Sequence, residues 1–441
     1  MRTLIKNGTV YFESGHEVCD VLVEDSKIAR IGESPVSDEF DEIIDATGLS
    51  VLPGFIDMHV HLDEQIGKCT LADDFRTGSQ IALLNGITTL VGFITQRENK
   101  SLKQAVEKVV KRASEKCLCN FAFHLTPTKF SDENWNEIRE LVESGFKTFK
   151  FYTTYKEAGI FSSYEQLREI MKRLALLDCT VLVHCEDETI LEKYRIEKYD
   201  FANAFNHSLS KPEKAEIVAI ERVIKLAQET GCRVHIVHVS TAEGVKLIMN
   251  ACRRIPITCE TAPQYLFLNS NYLLGEAGYR YVCSPPLRSE KTQEQLKELA
   301  IDGAFDIFAT DHCAFLKKDK DEFAKDFRKV PNGIAGLGAL VPLMYELLVK
   351  EHKLDFGELV KRLSLNPAMI TGLYPQKGTI KSGSDADIVI LDTNSLMHPI
   401  VSSSADVYES YPGKTTTLDF RYVYLQGELV IKDNKLASHF S

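Results

Sequence analysis

The stretch GFIDMHVHL, residues 54–62, decides the fold, because it is the first of eight short apolar runs in the middle of the chain. The other seven are TTLVGFI (88–94), NFAFHL (120–125), FKTFKFY (146–152), TVLVHC (180–185), RVHIVHVS (233–240), PITCETA (256–262) and DIFATD (306–311). Segments with the apolar spacing of amphipathic helices lie between them, at 73–85, 101–116, 132–144, 163–176, 212–230 and 242–251. A strand followed by a helix, repeated eight times, predicts an α/β protein with a (β/α)8 TIM-like barrel.

Both ends of the chain have a different pattern. Short alternating strands separated by turn residues occupy 3–11, 20–32 and 41–54, and the same pattern returns at 378–392 and 420–433. Chain ends often lie close together in a folded domain. We therefore expect a small β-sandwich domain built from residues 1–52 and 378–441, with the barrel, 53–377, inserted between its two parts.

The composition is that of an ordinary globular chain. Its 441 residues carry 52 Lys and Arg against 63 Asp and Glu, a net charge of −11, and no run is rich in Lys or Arg. Neither nucleic acid nor an anionic membrane is therefore expected as a partner. No apolar run approaches the roughly 18 residues of a membrane helix, which favours a cytoplasmic protein acting on a small molecule. The 11 cysteines form no paired CxxC motifs, which predicts reduced thiols.

Polar side chains follow several of the predicted strands where those strands end. His59 and His61 are two residues apart and would share one face of a strand. His184 and His238 end later runs, and Asp311 follows the eighth. Imidazoles and a carboxylate gathered at one end of a barrel could hold metal. The ordinary alternatives are histidines at a sheet edge and an Asp that caps the next helix.

Six further histidines are interpreted as structural. His235 lies three residues before His238, so alternation places the two on opposite faces, and His235 is expected on the side that faces the helices. His124, His207, His352, His398 and His439 are given the same interpretation.

Lys150 is the unusual residue of the fourth run. Alternation puts Thr148, Lys150 and Tyr152 on one face and Phe149 and Phe151 on the other. An ammonium pointing at histidines and a metal is electrostatically unfavourable unless its charge is removed. A carbamate formed with CO₂ would supply an anion with two oxygens, whereas a snorkelling or salt-bridged lysine is the ordinary alternative.

Several longer motifs carry a resemblance to a known family. They are LPGFIDMHVHLDEQIGKCTLADDFRTGSQIALLNGITTLVGF (52–93), TFKFYTTYK (148–156), LVHCED (182–187), HIVHVSTAEG (235–244), CETAPQYL (259–266), CSPPLR (283–288), ATDHCAF (309–315) and PNGIAGLG (331–338). On these motifs the chain resembles the cyclic amidohydrolases of the amidohydrolase superfamily, and most of all their hydantoinase and dihydropyrimidinase branch. Its terminal segments resemble the small sandwich domain of that superfamily.

The resemblance implies a centre with two divalent metal ions. One ion is expected on His59, His61 and Asp311, the other on His184 and His238, and a carbamate of Lys150 is expected to bridge both. Nitrogen and oxygen ligands suit Zn²⁺, although Mn²⁺ or Co²⁺ could occupy such a site.

The resemblance also implies a reaction. A hydroxide held between the metals would attack a ring carbonyl, and Asp311 would move its proton to the leaving nitrogen. Tyr155 would donate to the developing oxyanion, while Ser284 and Asn332 would hold the ring amides. The product would be of the N-carbamoyl amino acid type, and the enzyme a homo-oligomer, dimer or tetramer.

Residues that differ from those of dihydroorotases indicate which kind of ring the enzyme would open. Dihydroorotases resemble this chain but carry an arginine two residues after the paired histidines, where this sequence has Asp63. Thr95 and Phe315 replace two further residues of that enzyme, and a carboxylate facing Asp63 would be repelled. A neutral cyclic ureide or imide is therefore favoured. Arg288, from another loop, is the alternative partner for a ring carboxylate.

Three alternatives stay open. The substrate could be that of a dihydroorotase or an allantoinase, and a non-catalytic scaffold homologue is the less favoured third possibility. Gly338 stands where hydantoinases usually have an acidic residue, which leaves the substrate preference and the subunit contacts near that helix undecided.

Overall fold

The computed structural model describes residues 1–33, 39–97, 100–404 and 406–438, so His439 lies outside the described residues. The strands, in chain order, are β1 (Arg2–Phe12), β2 (Gly15–Glu24), β3 (Lys27–Ile31), β4 (Glu42–Asp45), β5 (Ser50–Pro53), β6 (Phe55–Asp57), β7 (Gln65–Ile66), β8 (Cys69–Thr70), β9 (Ile87–Thr95), β10 (Asn120–Thr126), β11 (Thr148–Tyr152), β12 (Thr180–His184), β13 (Arg233–Ile236), β14 (Ile257–Thr261), β15 (Ile307–Phe308), β16 (Ile388–Asp392), β17 (His398–Pro399), β18 (Thr415–Thr416), β19 (Asp419–Leu425), β20 (Glu428–Lys432) and β21 (Lys435–Leu436).

The α-helices are α1 (Phe75–Leu84), α2 (Leu102–Lys116), α3 (Asp132–Glu143), α4 (Tyr164–Leu176), α5 (Glu188–Arg195), α6 (Phe205–Ser210), α7 (Glu213–Thr230), α8 (Ala242–Ala251), α9 (Pro263–Phe267), α10 (Glu290–Ile301), α11 (Lys317–Glu322), α12 (Leu340–Met344), α13 (Gly357–Val360) and α14 (Asn366–Thr371). Short 3₁₀ turns occur at Lys156–Ala158, Ser270–Leu273 and Gly278–Tyr281, and π-helical segments at Tyr345–Glu351 and Lys361–Leu365.

The barrel predicted from the eight apolar runs is confirmed. Its strands are parallel and lie in the order β6, β9, β10, β11, β12, β13, β14, β15. The two end strands meet beyond their regular parts, where Val60 and His312 form a parallel bridge and the His61 N–H donates to the His312 carbonyl at 2.8 Å. The buried Asp57 carboxylate joins the same two chain segments, because it accepts from the Thr310 N–H at 3.1 Å and the His59 N–H at 3.2 Å.

The predicted helices appear within two residues of their expected bounds, because their ends carry strong local signals. Ser101 and Ser163 cap α2 and α4 through capping boxes. Pro212 precedes α7, and Gly231 ends that helix in the left-handed conformation, with φ of 68°. The predicted helices bury an apolar face against the barrel, as α4 does with Leu167, Ile170, Met171 and Leu174.

The chain ends form one mixed sheet of nine strands: β1, β2, β3, β4, β5, β16, β19, β20 and β21. The two parts of the chain meet where β5 pairs antiparallel with β16, with Val51 opposite Ile390. A separate apolar cluster that includes Ile5, Val21 and Ile388 fills this domain. A sheet domain assembled from both ends is therefore present, while its division into a two-layer sandwich stays a prediction.

None of the helices in the described ranges is long and apolar enough to cross a membrane.

Candidate metal centre and active site

A cavity of about 640 Å³ lies at the carboxyl ends of the barrel strands. The nine side chains singled out in the sequence all line it: His59, His61, Lys150, Tyr155, His184, His238, Ser284, Asp311 and Asn332. They come from seven separate stretches of the chain, so the barrel alone brings them together. Convergence of predicted donors in one cavity is the arrangement expected of a barrel active site.

The first donor cluster consists of His59, His61 and Asp311, whose ligand atoms lie within 4.8 Å of one another. Asp311 Oδ1 is 3.2 Å from His59 Nε2 and 3.6 Å from His61 Nε2. The Glu260 carboxylate contacts His59 Nδ1 and can only accept, so it selects the tautomer that leaves the Nε2 lone pair facing Asp311. Lone pairs that face one another require a cation or protons between them, and this donor set therefore fits a metal ion.

The second cluster consists of His184 and His238, which are both buried. His184 Nδ1 lies 2.9 Å from His238 Nε2. The other nitrogen of His184 lies 2.8 Å from Glu186 Oε2, and this contact leaves Nδ1 with its lone pair on the cavity side. His238 Nδ1 has no hydrogen-bond partner among the described residues. Two imidazoles that converge in this way fit a second cation.

Lys150 is 1% exposed and points into the same cavity. Its ammonium lies over the rings of Phe93 and Tyr152, at 5.3 and 5.2 Å from their centroids. In the described part of the chain no carboxylate pairs with it within 4.0 Å. Burial lowers the pKa of Lys150 to about 8, so a fraction of the amine is neutral near pH 7, and the neutral amine is the form that adds CO₂. The surroundings of Lys150 therefore fit the carbamate that the resemblance implies.

Two buried carboxylates that were not predicted from the sequence orient these histidines. Glu260 contacts His59, lies 3.0 Å from His235 Nε2 and accepts from the His238 N–H at 3.2 Å. Burial opposes the ionisation of Glu260, but the neighbouring imidazoles outweigh it and hold its pKa well below the usual range. Glu186 plays the same part for His184. The signal in the sequence is an acidic residue inside an otherwise apolar run or directly after one.

The expectation for His235 is wrong. Lys150 is paired with Leu182, and Leu182 with His235, and residues opposite one another in neighbouring strands share a face. His235 therefore points into the barrel beneath the metal ligands. The alternation argument failed because β13 ends at Ile236, and His238 lies beyond it in left-handed backbone with φ of 37°.

Tyr155 and Ser284 contact one another on the cavity wall. The Tyr155 hydroxyl donates to Ser284 Oγ at 2.8 Å, and burial raises the pKa of Tyr155 well above its usual value, so it remains a donor. Tyr155 has left-handed backbone, with φ of 68°, and its N–H is held by Glu188 at 3.1 Å. Asp311 is also left-handed, with φ of 49°. Such backbone is uncommon outside glycine and clusters at functional sites.

The repulsion expected from Asp63 is wrong. Its side chain turns to Arg112, whose Nη2 lies 2.7 Å from Oδ2, and it is not among the residues that line the cavity. Arg288 is also unsuited as a substitute partner for a carboxylate, because it is buried against Glu216 at 3.3 Å. Thr95 does line the cavity, and the exposed Arg97 lies at its rim.

Gly338 is explained by a close approach of the backbone. A Cβ at this position would lie 2.1 Å from the Val401 carbonyl oxygen, and the Gly338 N–H donates to the Ser402 carbonyl at 3.1 Å. An acidic side chain has no room here. Phe315 is buried in a small apolar cluster with Leu71 and Cys313.

The parallel barrel and its two converging donor clusters are the architecture of a barrel enzyme with a candidate metal centre. The Amidohydrolase family model matches residues 50–430, so the chain belongs to that family. The sequence-based identification as an amidohydrolase most like hydantoinases and dihydropyrimidinases is confirmed, as is its assignment as a hydrolase.

Relatives match over nearly the whole chain. The D-hydantoinase of Geobacillus stearothermophilus is 32% identical over 447 residues, covering 99% of this chain and 94% of that protein. The D-phenylhydantoinase of Escherichia coli K12 is 32% identical, with 98% and 95% covered. Among solved structures, the dihydropyrimidinase of Brevibacillus agri NCHU1002 matches with a TM-score of 0.93 at 30% identity, covering 99% and 96%. The L-hydantoinase of Arthrobacter aurescens matches with 0.88 at 29%, covering 99% and 97%.

Proposed function

We propose that this chain hydrolyses the ring of a neutral five- or six-membered cyclic ureide or imide, of the hydantoin or dihydropyrimidine class, to an N-carbamoyl amino acid type product. The observation that carries the proposal is the convergence of the six donor side chains and of Tyr155, Ser284 and Asn332 on one cavity. The names of the relatives support it. A scaffold homologue that had lost its metal would not need six donors facing the same cavity.

His59, His61 and Asp311 would hold one divalent metal ion, His184 and His238 a second, and Lys150 as its carbamate would bridge them. Zn²⁺ suits this set of nitrogen and oxygen donors. When bound, paired ions supply a Lewis acid for a ring carbonyl and an acidified water near neutral pH. The role of the protein is then to orient the ring and to handle its protons.

Asp311 is the residue assigned to proton transfer. Its carboxylate belongs to the first donor cluster, lies at the end of the barrel in left-handed backbone and lines the cavity. It would accept the proton of the attacking water and return it to the ring nitrogen, which is a poor leaving group unless protonated.

Tyr155 would donate its hydroxyl proton to the oxygen of the attacked carbonyl. That contact is strongest when negative charge develops, so it favours the transition state over the bound substrate. Ser284 and Asn332 would orient the ring largely through their backbone N–H and carbonyl groups. This suits a neutral ring, which offers both donors and acceptors.

We also propose that the domains divide at 1–52, 53–377 and 378–441, that the small domain is a two-layer sandwich, and that the protein is a cytoplasmic homo-oligomer. Oligomeric state is checked by sedimentation, and the exposed Leu396 and Met397 are the first positions to substitute in testing a subunit contact.

The test is a hydrolysis panel of dihydrouracil, hydantoin, allantoin and dihydroorotate on Zn²⁺-loaded protein. Ring opening of dihydrouracil or hydantoin, lost in Asp311→Asn, supports the proposal. Absence of hydrolysis of all four rings by protein that holds its metal would contradict it. Preferential hydrolysis of dihydroorotate or allantoin would move the assignment to that alternative.

A further inference from the structure

A buried ion pair adjoins the second donor cluster and reaches the substrate side of the cavity. Glu186 is fully buried, and its Oε2 receives Lys211 Nζ at 2.8 Å as well as His184 Nε2 at 2.8 Å. The Lys211 side chain is only 15% exposed. Taking a carboxylate out of water is costly unless a cation compensates it. The Lys211 ammonium supplies that positive charge next to Glu186.

The same ammonium also contacts the residues assigned to the substrate. Lys211 Nζ donates to Ser284 Oγ at 2.7 Å and lies 5.3 Å from the centroid of the Tyr155 ring. Ser284 Oγ in turn accepts from the Tyr155 hydroxyl at 2.8 Å and donates to Glu186 Oε2 at 3.1 Å. A continuous chain of contacts therefore runs from a metal ligand to the hydroxyl assigned to the oxyanion.

We propose that Lys211 is a positioning residue that holds the His184 metal pocket and the Tyr155–Ser284 hydroxyl pair as one unit. The inference rests on the proposed function for the metal role of His184 and for the roles of Tyr155 and Ser284, and Zn²⁺ retention tests the first of these without turnover. Lys211 keeps Glu186 available as the acceptor for His184, and it fixes Ser284 as the resting partner of the Tyr155 hydroxyl. Without Lys211, Glu186 would be buried without a countercharge and Ser284 Oγ would lose a donor.

The first measurement compares Lys211→Met with wild-type protein for Zn²⁺ retention against a competing chelator. Loss of a group that orients a metal ligand commonly costs about 10- to 100-fold in metal affinity or activity, and we expect a loss of that size. At saturating Zn²⁺ we also expect kcat for the ring substrate to fall by about tenfold or more while KM changes by less than about threefold, because the Tyr155 contact acts mainly in the transition state.

Two further variants separate positioning from general stability. Lys211→Arg keeps the charge and the donors, and we expect it to recover most of the kcat and the metal retention. Lys377→Met is the matched control, because Lys377 is similarly buried, at 11% exposed, and is paired with Asp387 at 2.7 Å and Asp385 at 2.9 Å, away from the cavity. Should Lys211→Met not fold, Lys211→Gln, which keeps a donor without the charge, is measured in its place.

Unchanged metal retention and kcat in Lys211→Met would overturn the proposal. So would an equal loss in Lys377→Met, or no recovery in Lys211→Arg. Zn²⁺ retention is measured without turnover, so the proposal remains testable if the substrate panel fails. If the wild-type protein opens the ring and Lys211→Met equals it in kcat and Zn²⁺ retention, this inference is refuted while the proposed function stands.

Discussion

Replacement of Glu260 by glutamine tests how the histidines are oriented. The carboxylate accepts from two imidazoles, at His59 Nδ1 and His235 Nε2, and it can do so because it carries no hydrogen. A glutamine has one acceptor oxygen and one amide donor. If the NH₂ group faces His59, that imidazole must move its proton to Nε2, the nitrogen that faces Asp311, and the ligand lone pair is lost.

The expected loss in metal affinity is about 10- to 100-fold, which corresponds to about 1.4 to 2.7 kcal/mol. The protein should still fold, because the glutamine keeps the volume of the buried side chain. The assay is competition for Zn²⁺ with a chromophoric chelator, together with thermal unfolding of the metal-free and metal-loaded protein. We expect the metal-loaded form to lose more stability than the metal-free form, because the ligand set is the part that is damaged.

Glu216→Gln is the matched control. Glu216 is also buried, and its carboxylate accepts from Thr241 Oγ1 at 2.7 Å and from Arg288 Nη2 at 3.3 Å, with no contact to a predicted metal ligand. The Glu216→Gln substitution should lower thermal stability without a specific loss of Zn²⁺ affinity. Wild-type Zn²⁺ affinity in Glu260→Gln, or an equal affinity loss in Glu216→Gln, would refute the reasoning.

The remaining predictions concern the bridge, the proton and the charge of the substrate. Lys150→Ala should lose most metal and activity and recover part of both when a short carboxylic acid is added, as followed by metal analysis and turnover; full activity without the acid would rule out the bridge. Asp311→Asn should keep the fold by circular dichroism but lose about 10²- to 10⁴-fold in kcat, since an amide does not transfer the proton, and a loss below about tenfold would assign that role elsewhere. Dihydrouracil or hydantoin should be opened at least about a hundredfold more efficiently in kcat/KM than dihydroorotate, because Thr95 offers no charge to a ring carboxylate. Equal efficiency would indicate a cationic partner, with Arg97 at the rim as the first residue to substitute.

The barrel and the donor positions could be predicted because both depend on local patterns. Apolar runs that alternate with capped amphipathic segments dictate strands and helices, and a residue at the end of a parallel strand lies at the active end of the barrel. His59, His61 and Asp311 were therefore found without knowledge of any tertiary contact, and the resemblance added the assignment of each to a metal.

The errors arose where a side chain depends on a distant partner or on the point at which a strand stops. Asp63 is neutralised by Arg112, 49 positions further along the chain, and nothing near Asp63 in the sequence indicates that pair. His235 was misplaced because two-residue alternation was extended past the end of β13. Glu260 lies in the motif CETAPQYL, but its contacts with the histidines follow only from the closure of the barrel.

The pairing of β5 with β16 has a consequence for synthesis on the ribosome. Pro53 lies opposite Ile388, so 335 positions separate two residues that are adjacent in the sheet. At about 5 to 20 residues per second, translation leaves one edge of β5 without its neighbour for roughly 20 to 70 s. An unpaired strand edge is a template for pairing with another nascent chain. The order of synthesis thus leaves this edge of the small domain unpaired for longer than the first strand of the barrel, whose neighbour at His312 is made earlier.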